Sequence, residues 1–232
     1  AYFNRFANSY PTVTLLANAP ADDVLKLWEG LGYYSRARNL HAGAKQIVND
    51  FNGKIPNNYT DLLKIKGIGP YSAAAISSIC FHEKKAVVDG NVFRVLGRIH
   101  GLETPTNTTA GAKIFNEKAQ NIIDKSPEPG EYNQAIMEFG ALHCTPKNPS
   151  CNDCMFNKNC IAHATGKVAE LPKKNKAKPL RNRFLNYLIV IKDGKIAVEK
   201  RSENDIWTGL YQFPLEETAT QLSELNNAEL MA

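Results

Sequence analysis

Up to about residue 162, apolar residues recur every three or four positions, which is the repeat of helices with one buried face. The pattern predicts helices over 22–30, 35–51, 71–81, 92–100, 110–123 and 132–142. Between them stand Ala19-Pro20, Gly30-Leu31-Gly32, Ile55-Pro56, Gly67-Ile68-Gly69-Pro70 and Ser126-Pro127-Glu128-Pro129-Gly130, where Pro and Gly punctuate the helical runs. Tyr2-Phe3-Asn4-Arg5-Phe6 reads as the middle of a further helix, so the chain is expected to begin inside a longer native one. No strand is expected in this part, which reads as one all-α domain over residues 1–162. A Lys-, Pro- and Ala-rich stretch over 163–183 reads as a basic linker. Beyond it the period changes. Residues 184–191 predict a strand, Asp193-Gly194 a hairpin turn, Ile196-Ala197-Val198 the start of a second strand, and residues 210–214 a possible third. Residues 184–232 thus read as the first part of an α/β or β-rich domain.

Bulk properties narrow this little. With 43% hydrophobic and 22% charged residues, the chain has an ordinary globular composition, and no apolar run is long enough to span a membrane. A formal charge of +5 gives weak support for a nucleic-acid partner. Its distribution is more informative: Arg36 and Arg38 follow a Gly-Tyr-Tyr turn, and Lys173, Lys174, Lys176, Lys178, Arg181 and Arg183 crowd one segment, although a solvated linker accounts for that run as well.

Four of the five cysteines follow the spacing Cys144-x6-Cys151-x2-Cys154-x5-Cys160. Thiolates so close together mark a metal or cluster site in a reducing compartment, not a disulfide framework. The intervals do not suit paired zinc knuckles, which show two short clips. Four thiolates with no histidine among them fit a 4Fe–4S cluster, with an all-cysteine zinc site and free buried thiols as the alternatives. Cys80, inside an apolar helix, reads as a small buried hydrophobe. His41, His82, His100, His143 and His163 have no ligand spacing and read as surface or core polar residues.

Residues 62–73 predict a helix, a tight turn at Gly67-Ile68-Gly69, and a second helix opening at Pro70, Tyr71 and Ser72. Glycine allows the positive φ of such a turn and leaves no Cβ between backbone and ligand. Amides at the start of the second helix would suit a phosphate, whereas a purely structural turn between helices is the plainer reading. No Gly-Lys-Ser/Thr follows, so this is not a nucleotide P-loop. Val87-Val88-Asp89-Gly90-Asn91-Val92 then puts a carboxylate at the mouth of a helix, where an N-cap is the plain role for Asp89.

The hairpin, the Val-Asp-Gly-Asn-Val run and the cysteine spacing, in that order, resemble the endonuclease III superfamily of base-excision glycosylases over residues 1–162. Two further segments, residues 31–40 (Leu-Gly-Tyr-Tyr-Ser-Arg-Ala-Arg-Asn-Leu) and 133–141, resemble adenine DNA glycosylases of the MutY type. The linker and Trp207-Thr208-Gly209-Leu210-Tyr211-Gln212-Phe213-Pro214 look like that family's Nudix-related C-terminal domain. The resemblance implies a mainly α helix–hairpin–helix glycosylase fold with a 4Fe–4S loop over 144–160, followed by the beginning of an α+β Nudix-like domain.

It also implies a monomer that acts on double-stranded DNA carrying adenine opposite 8-oxoguanine or guanine, in the reducing cytoplasm of a bacterium. Asp89 would be the catalytic carboxylate, supported by Tyr71 and Asn91. Bifunctional members carry a lysine where this chain has Tyr71, so the resemblance implies base removal without strand scission. Tyr33, with Leu31 nearby, would wedge beside the damaged base; Arg36, Arg38 and the Gly67, Ile68, Gly69 and Ser72 hairpin would hold the DNA backbone. Gln134 would read the adenine edge, or else is simply a polar helix residue. Cys144, Cys151, Cys154 and Cys160 would ligate the cluster. The family's general-acid glutamate is expected upstream of residue 1, and neither Glu29 nor Glu138 matches its motif. The alternatives are a glycosylase for oxidised pyrimidines or mispaired thymine, or a non-catalytic DNA-binding iron–sulfur module. A Nudix pyrophosphatase lacks support, because its glutamate-rich helix motif is not found in residues 218–232.

Overall fold

A computed structural model describes residues 2–176, 181–201 and 205–221. The chain divides into two units, one of Ala1–Glu29 with Arg36–Lys176, the other of Gly30–Ser35 with Ala177–Ala232. The helical elements are α1 (Tyr2–Ser9), α2 (Val13–Asn18), α3 (Ala21–Leu27), α4 (Tyr34–Asp50), α5 (Tyr59–Leu62), α6 (Pro70–Phe81), α7 (Gly90–His100), α8 (Thr109–Ile123), α9 (Pro129–Leu142) and α10 (Ile161–Ala164). Every expected helix forms, and most begin one to three residues earlier than the apolar repeat suggests. The reason is capping. Asp89 accepts from the Val92 amide ahead of α7, Thr108 accepts from Gly111 ahead of α8, and Pro129 opens α9. None of these residues belongs to the apolar repeat. Helices α2 and α5 are too short for periodicity to register, but Thr12 and Asn58 cap them in the same way.

Among the described residues, the core comprises three clusters. Val92, Leu96, Phe115, Ala119 and Ile123 join α7 to α8; Leu16, Val24 and Ala44 join α2, α3 and α4; Ile47, Leu62, Ile65 and Ala73 join α4 to the hairpin. Helix α6 departs from expectation. Its buried positions are Ala73, Ala74, Ser77 and Ser78, a stripe of small residues, and Cys80 falls off that stripe and is exposed. Small residues let α9 approach closely: a Cβ on Gly130 would lie 2.9 Å from the Ser78 carbonyl oxygen.

The first unit continues past the expected domain end. Leu171 is buried, the Arg98 Nε donates to the carbonyls of Val168 (3.0 Å) and Leu171 (3.1 Å), and the Thr106 amide donates to Lys173 (3.0 Å). The basic run is therefore not all linker, because the backbone up to Asn175 has partners on α7 and the loop after it. Lys178 lies outside the described residues, as do residues 222–232.

In the second unit, β1 (Phe184–Tyr187) pairs antiparallel with β6 (Leu215–Thr218), β2 (Ile191–Lys192) with β3 (Lys195–Ile196), and β4 (Glu199–Lys200) with β5 (Tyr211–Gln212). The single strand expected over 184–191 is two. The chain changes partner between them, from Pro214, which accepts from the Leu188 amide, to Ala197, which donates to Val190. The turn between β2 and β3 is as expected, with Asp193 and Gly194 both at positive φ. Strand β6 was not legible, since Leu215-Glu216-Glu217-Thr218 has no clear alternation. Arg201 is buried; its Nε donates to the Ile206 carbonyl at 2.6 Å, and its guanidinium also pairs with Asp205 and lies over the Trp207 ring. Among the described residues, no helix is long and apolar enough to cross a membrane.

Candidate functional site

The hairpin is held from outside by α4. Gln46 uses its side-chain amide as a strand would use its backbone, donating to the Lys64 carbonyl and accepting from the Lys66 amide, both at 2.9 Å. Gly67 has φ +86, and a Cβ there would lie 2.7 Å from Asn39 Cβ, so its conformation and its packing both require glycine. Gly69 differs. It caps α6 in an extended conformation and its missing Cβ faces open space. Pro70 has no N–H, no side chain caps α6, and its first turn carries no acid, so the Tyr71 and Ser72 amides at this helix start suit an anion. The Ile68 side chain packs partly into the α4–α6 core, and its amide donates to the Ile65 carbonyl. Of the hairpin residues expected to touch DNA, it is the one turned inward.

One face of α9 organises the rest. Gly130 meets α6, Asn133 is fully buried, Met137 lies 3.7 Å from the Tyr71 hydroxyl, and Gly140 meets Asn91, where a Cβ would come within 2.7 Å of Asn91 Cβ. These positions lie three or four residues apart, as one helical face requires. Asn133 saturates its amide, donating to Ser78 Oγ (2.8 Å) and the Lys85 carbonyl (2.9 Å) and accepting from the Val87 amide (3.0 Å). It thereby fixes the segment that delivers Asp89.

Asp89 is the N-cap of α7. Its Oδ1 accepts from the Val92 amide at 2.8 Å and its Oδ2 from Asn91 Nδ2 at 3.1 Å. Asn91 in turn accepts from Arg94 Nη2 at 2.8 Å, and Arg94 also donates to the carbonyls of Gly140 (2.5 Å) and Cys144 (2.6 Å). Burial pulls the Arg94 guanidinium below its ordinary range, while nearby Cys144 and Asp89 act the other way. The cap expected as the plain role of Asp89 is thus present, and it holds the carboxylate in one orientation.

Tyr33 is 80% exposed at φ +49, between Gly32 (φ +68) and the start of α4. A bulky residue in the left-handed region is a true backbone outlier, and a ring held outward at such a position is no core residue. Tyr34 is half-buried and Leu31 partly exposed. The Arg36 guanidinium lies 5.9 Å over the Trp28 ring, and Arg38 is half-buried. Gln134 lies on the exposed side of α9, where its Nε2 reaches back to the Gly130 carbonyl at 3.4 Å.

All four clustered cysteines line one small cavity with Arg98, Phe139, His143, Phe156 and His163. Arg98, only 3% exposed, donates from Nη1 to Cys144 Sγ at 3.4 Å and to the Thr145 carbonyl at 2.7 Å. The Phe156 amide donates to Cys154 Sγ, and the Cys160 thiol to the Arg98 carbonyl, each at 3.4 Å. Burial, and then the neighbouring Cys144 and Cys160, pushes the Cys151 thiol up. Among the described residues, no three or more His, Cys, Asp or Glu side chains are gathered to hold a single metal ion. Two of the five histidines read as surface or core polar residues, His143 and His163, instead border this cavity. Sequence reasoning missed Gln46, Asn133, Arg94 and Arg98 as well. The buried arginines show in the sequence only as an i, i+4 pair among the apolar residues of α7.

Residues 1–121 match the family described as HhH-GPD superfamily base excision DNA repair protein. The adenine DNA glycosylase of Buchnera aphidicola (subspecies Schizaphis graminum) is 35% identical over 92% of this chain and 61% of its own. That of Rattus norvegicus is 40% identical over 74% of this chain and 34% of its own. The chain therefore spans less than two thirds of the length of these relatives. Among solved structures, a thermostable thymine-DNA glycosylase superposes with a TM-score of 0.65 at 27% identity, covering 71% of this chain and 75% of that one. Endonuclease III in a non-covalent DNA complex superposes at 0.60 and 21% identity, with the same coverage, a likeness of fold.

Proposed function

The chain belongs to the HhH-GPD superfamily of base excision DNA repair proteins, and from that membership we propose that it is the core of an adenine DNA glycosylase. The enzyme extrudes adenine mispaired with 8-oxoguanine or guanine from duplex DNA and hydrolyses its N-glycosidic bond. The observation that carries the reading is the Asp89 carboxylate, oriented at the mouth of α7 by the Val92 amide and Asn91, in a chain with Tyr71 after the hairpin. Extrusion costs a few kcal/mol and least at a mispair, which is one source of selectivity. The start of α6, together with Arg36 and Arg38, engages phosphates and sets position. Tyr33, with Leu31, enters the stack beside the damaged base. Gln134 pairs its amide with the adenine edge.

As the base departs, positive charge develops on the sugar. Asp89 stabilises it, with Asn91 and Tyr71 fixing the geometry. Tyr71 offers a hydroxyl where a Schiff-base enzyme needs an amine, so the sugar–phosphate strand stays intact. Cys144, Cys151, Cys154 and Cys160 would hold a 4Fe–4S cluster, for which the four-thiol donor set and the N–H groups of Arg98 and Phe156 directed at sulfur are suited. When bound, it cross-links the 144–160 loop to the end of α9. Residues 184–232 belong to a Nudix-like domain, and the protein works as a monomer with the bacterial nucleoid.

Single-turnover assays on duplexes with A:8-oxoguanine, A:G and T:G mispairs test this. Free adenine with an uncut abasic strand is the expected product. Thymine release from T:G, or strand scission, would overturn the assignment.

A further inference from the structure

His143 closes α9, directly before Cys144, and its ring stacks on Phe139 with centroids 5.2 Å apart and planes 20° from parallel. Phe139 in turn meets Phe156 edge to face at 5.4 Å. The imidazole is therefore pinned in an aromatic stack that borders the cysteine cavity. Its Nε2 is buried and has no hydrogen-bond partner among the described residues. A buried polar nitrogen without a partner is costly, and native proteins almost always satisfy one. Arg98, Ser150, Asn157 and His163 also line that cavity, but none of them pairs with Nε2; the other lining groups are four thiols and apolar side chains, so the sulfurs are the acceptors left to it. Two N–H groups already approach sulfur there, from Arg98 and from the Phe156 amide.

We infer that the His143 imidazole donates an N–H···S hydrogen bond from Nε2 to the cluster held by Cys144, Cys151, Cys154 and Cys160, and so sets its reduction potential. The inference rests on the cluster reading above. An N–H donor withdraws charge from sulfur and favours the more negative, reduced cluster, so each such bond raises the potential. His143 is a positioning and tuning residue and touches no DNA in this scheme.

Two measurements on anaerobically purified protein decide the matter. In wild-type protein with selectively ¹⁵N-labelled histidine, pulsed EPR of the paramagnetic cluster should show a histidine nitrogen coupling that disappears in His143→Leu. The midpoint of iron-replete His143→Leu should shift to more negative potential, and His143→Gln, which keeps an N–H donor, should fall between it and wild type. A wild-type protein that binds its iron but shows no histidine coupling would overturn the inference and leave the cluster reading intact. So would an iron-replete His143→Leu with an unchanged midpoint. Iron-free wild-type protein would overturn both readings.

Discussion

Asp89 serves the helix and the proposed chemistry with the same two oxygens, and this makes its substitution informative. Asparagine is as good an N-cap as aspartate, so Asp89→Asn keeps the Val92 bond and the start of α7. What it removes is the charge. The expected result is a loss of about 10²–10³-fold or more in single-turnover adenine release, with duplex binding retained. Unchanged release would remove Asp89 from the mechanism. Tyr33 offers the converse case. Its left-handed backbone disfavours a bulky residue by about 1–2 kcal/mol, whereas Asn tolerates that region well. Tyr33→Asn should therefore match or exceed wild type in thermal stability. Losing a stacked ring should weaken binding to mispaired duplex by about 1–3 kcal/mol, roughly 5- to 150-fold, in a binding titration.

At the scale of elements, the glycines separate packing from recognition. Gly140→Ala puts a methyl 2.7 Å from Asn91 Cβ and 3.1 Å from the Asn91 carbonyl oxygen, both on the helix that carries Asp89. Helices α7 and α9 must then separate, so unfolding should show a loss of about 1–3 kcal/mol, and base release should fall as Asn91 shifts. Gly69→Ala is the contrast. Its added methyl meets nothing within 4 Å and its φ is −91°, so stability should change by less than about 0.5 kcal/mol. The methyl would, however, stand between the hairpin backbone and a phosphate. Weaker DNA binding at unchanged Tm is the expected pattern, and unchanged binding would argue that the hairpin is only a structural turn.

For the whole molecule, the packed stretch before Lys176 gives a pH signature. Lys167 and Lys173 both bond Glu103 and hold its carboxyl down to about 2. A carboxylate whose folded pKa lies below its unfolded one contributes stability above the ordinary carboxylate range. That contribution fades as pH falls from about 4.5 towards about 2. The three groups are partly exposed, so the effect should be modest and should shrink with added salt. Glu103→Gln should flatten this part of the stability–pH curve in denaturant titrations at low salt. A curve parallel to wild type would show that the pairs do not anchor the segment.

The sequence determined local matters. Helices long enough to repeat an apolar face, the glycine hairpin, the cap at Asp89, the cysteine set and Asp193-Gly194 were all legible, because each rests on residues near one another in the chain. Short helices such as α2 and α5 offered only a capping residue, and the strand over 184–191 hid a change of partner set by Pro214 and Ala197. Tertiary structure alone decided that Cys80 faces outward, that Ile68 turns inward and that residues up to Lys176 belong with the helices. It also decided that one face of α9 reaches Tyr71, the segment before Asp89, and Asn91, and that His143 borders the cysteines. Those relations join residues tens of positions apart. No local period encodes them, because they depend on how closely packed helices meet and on where each buried polar atom finds its partner.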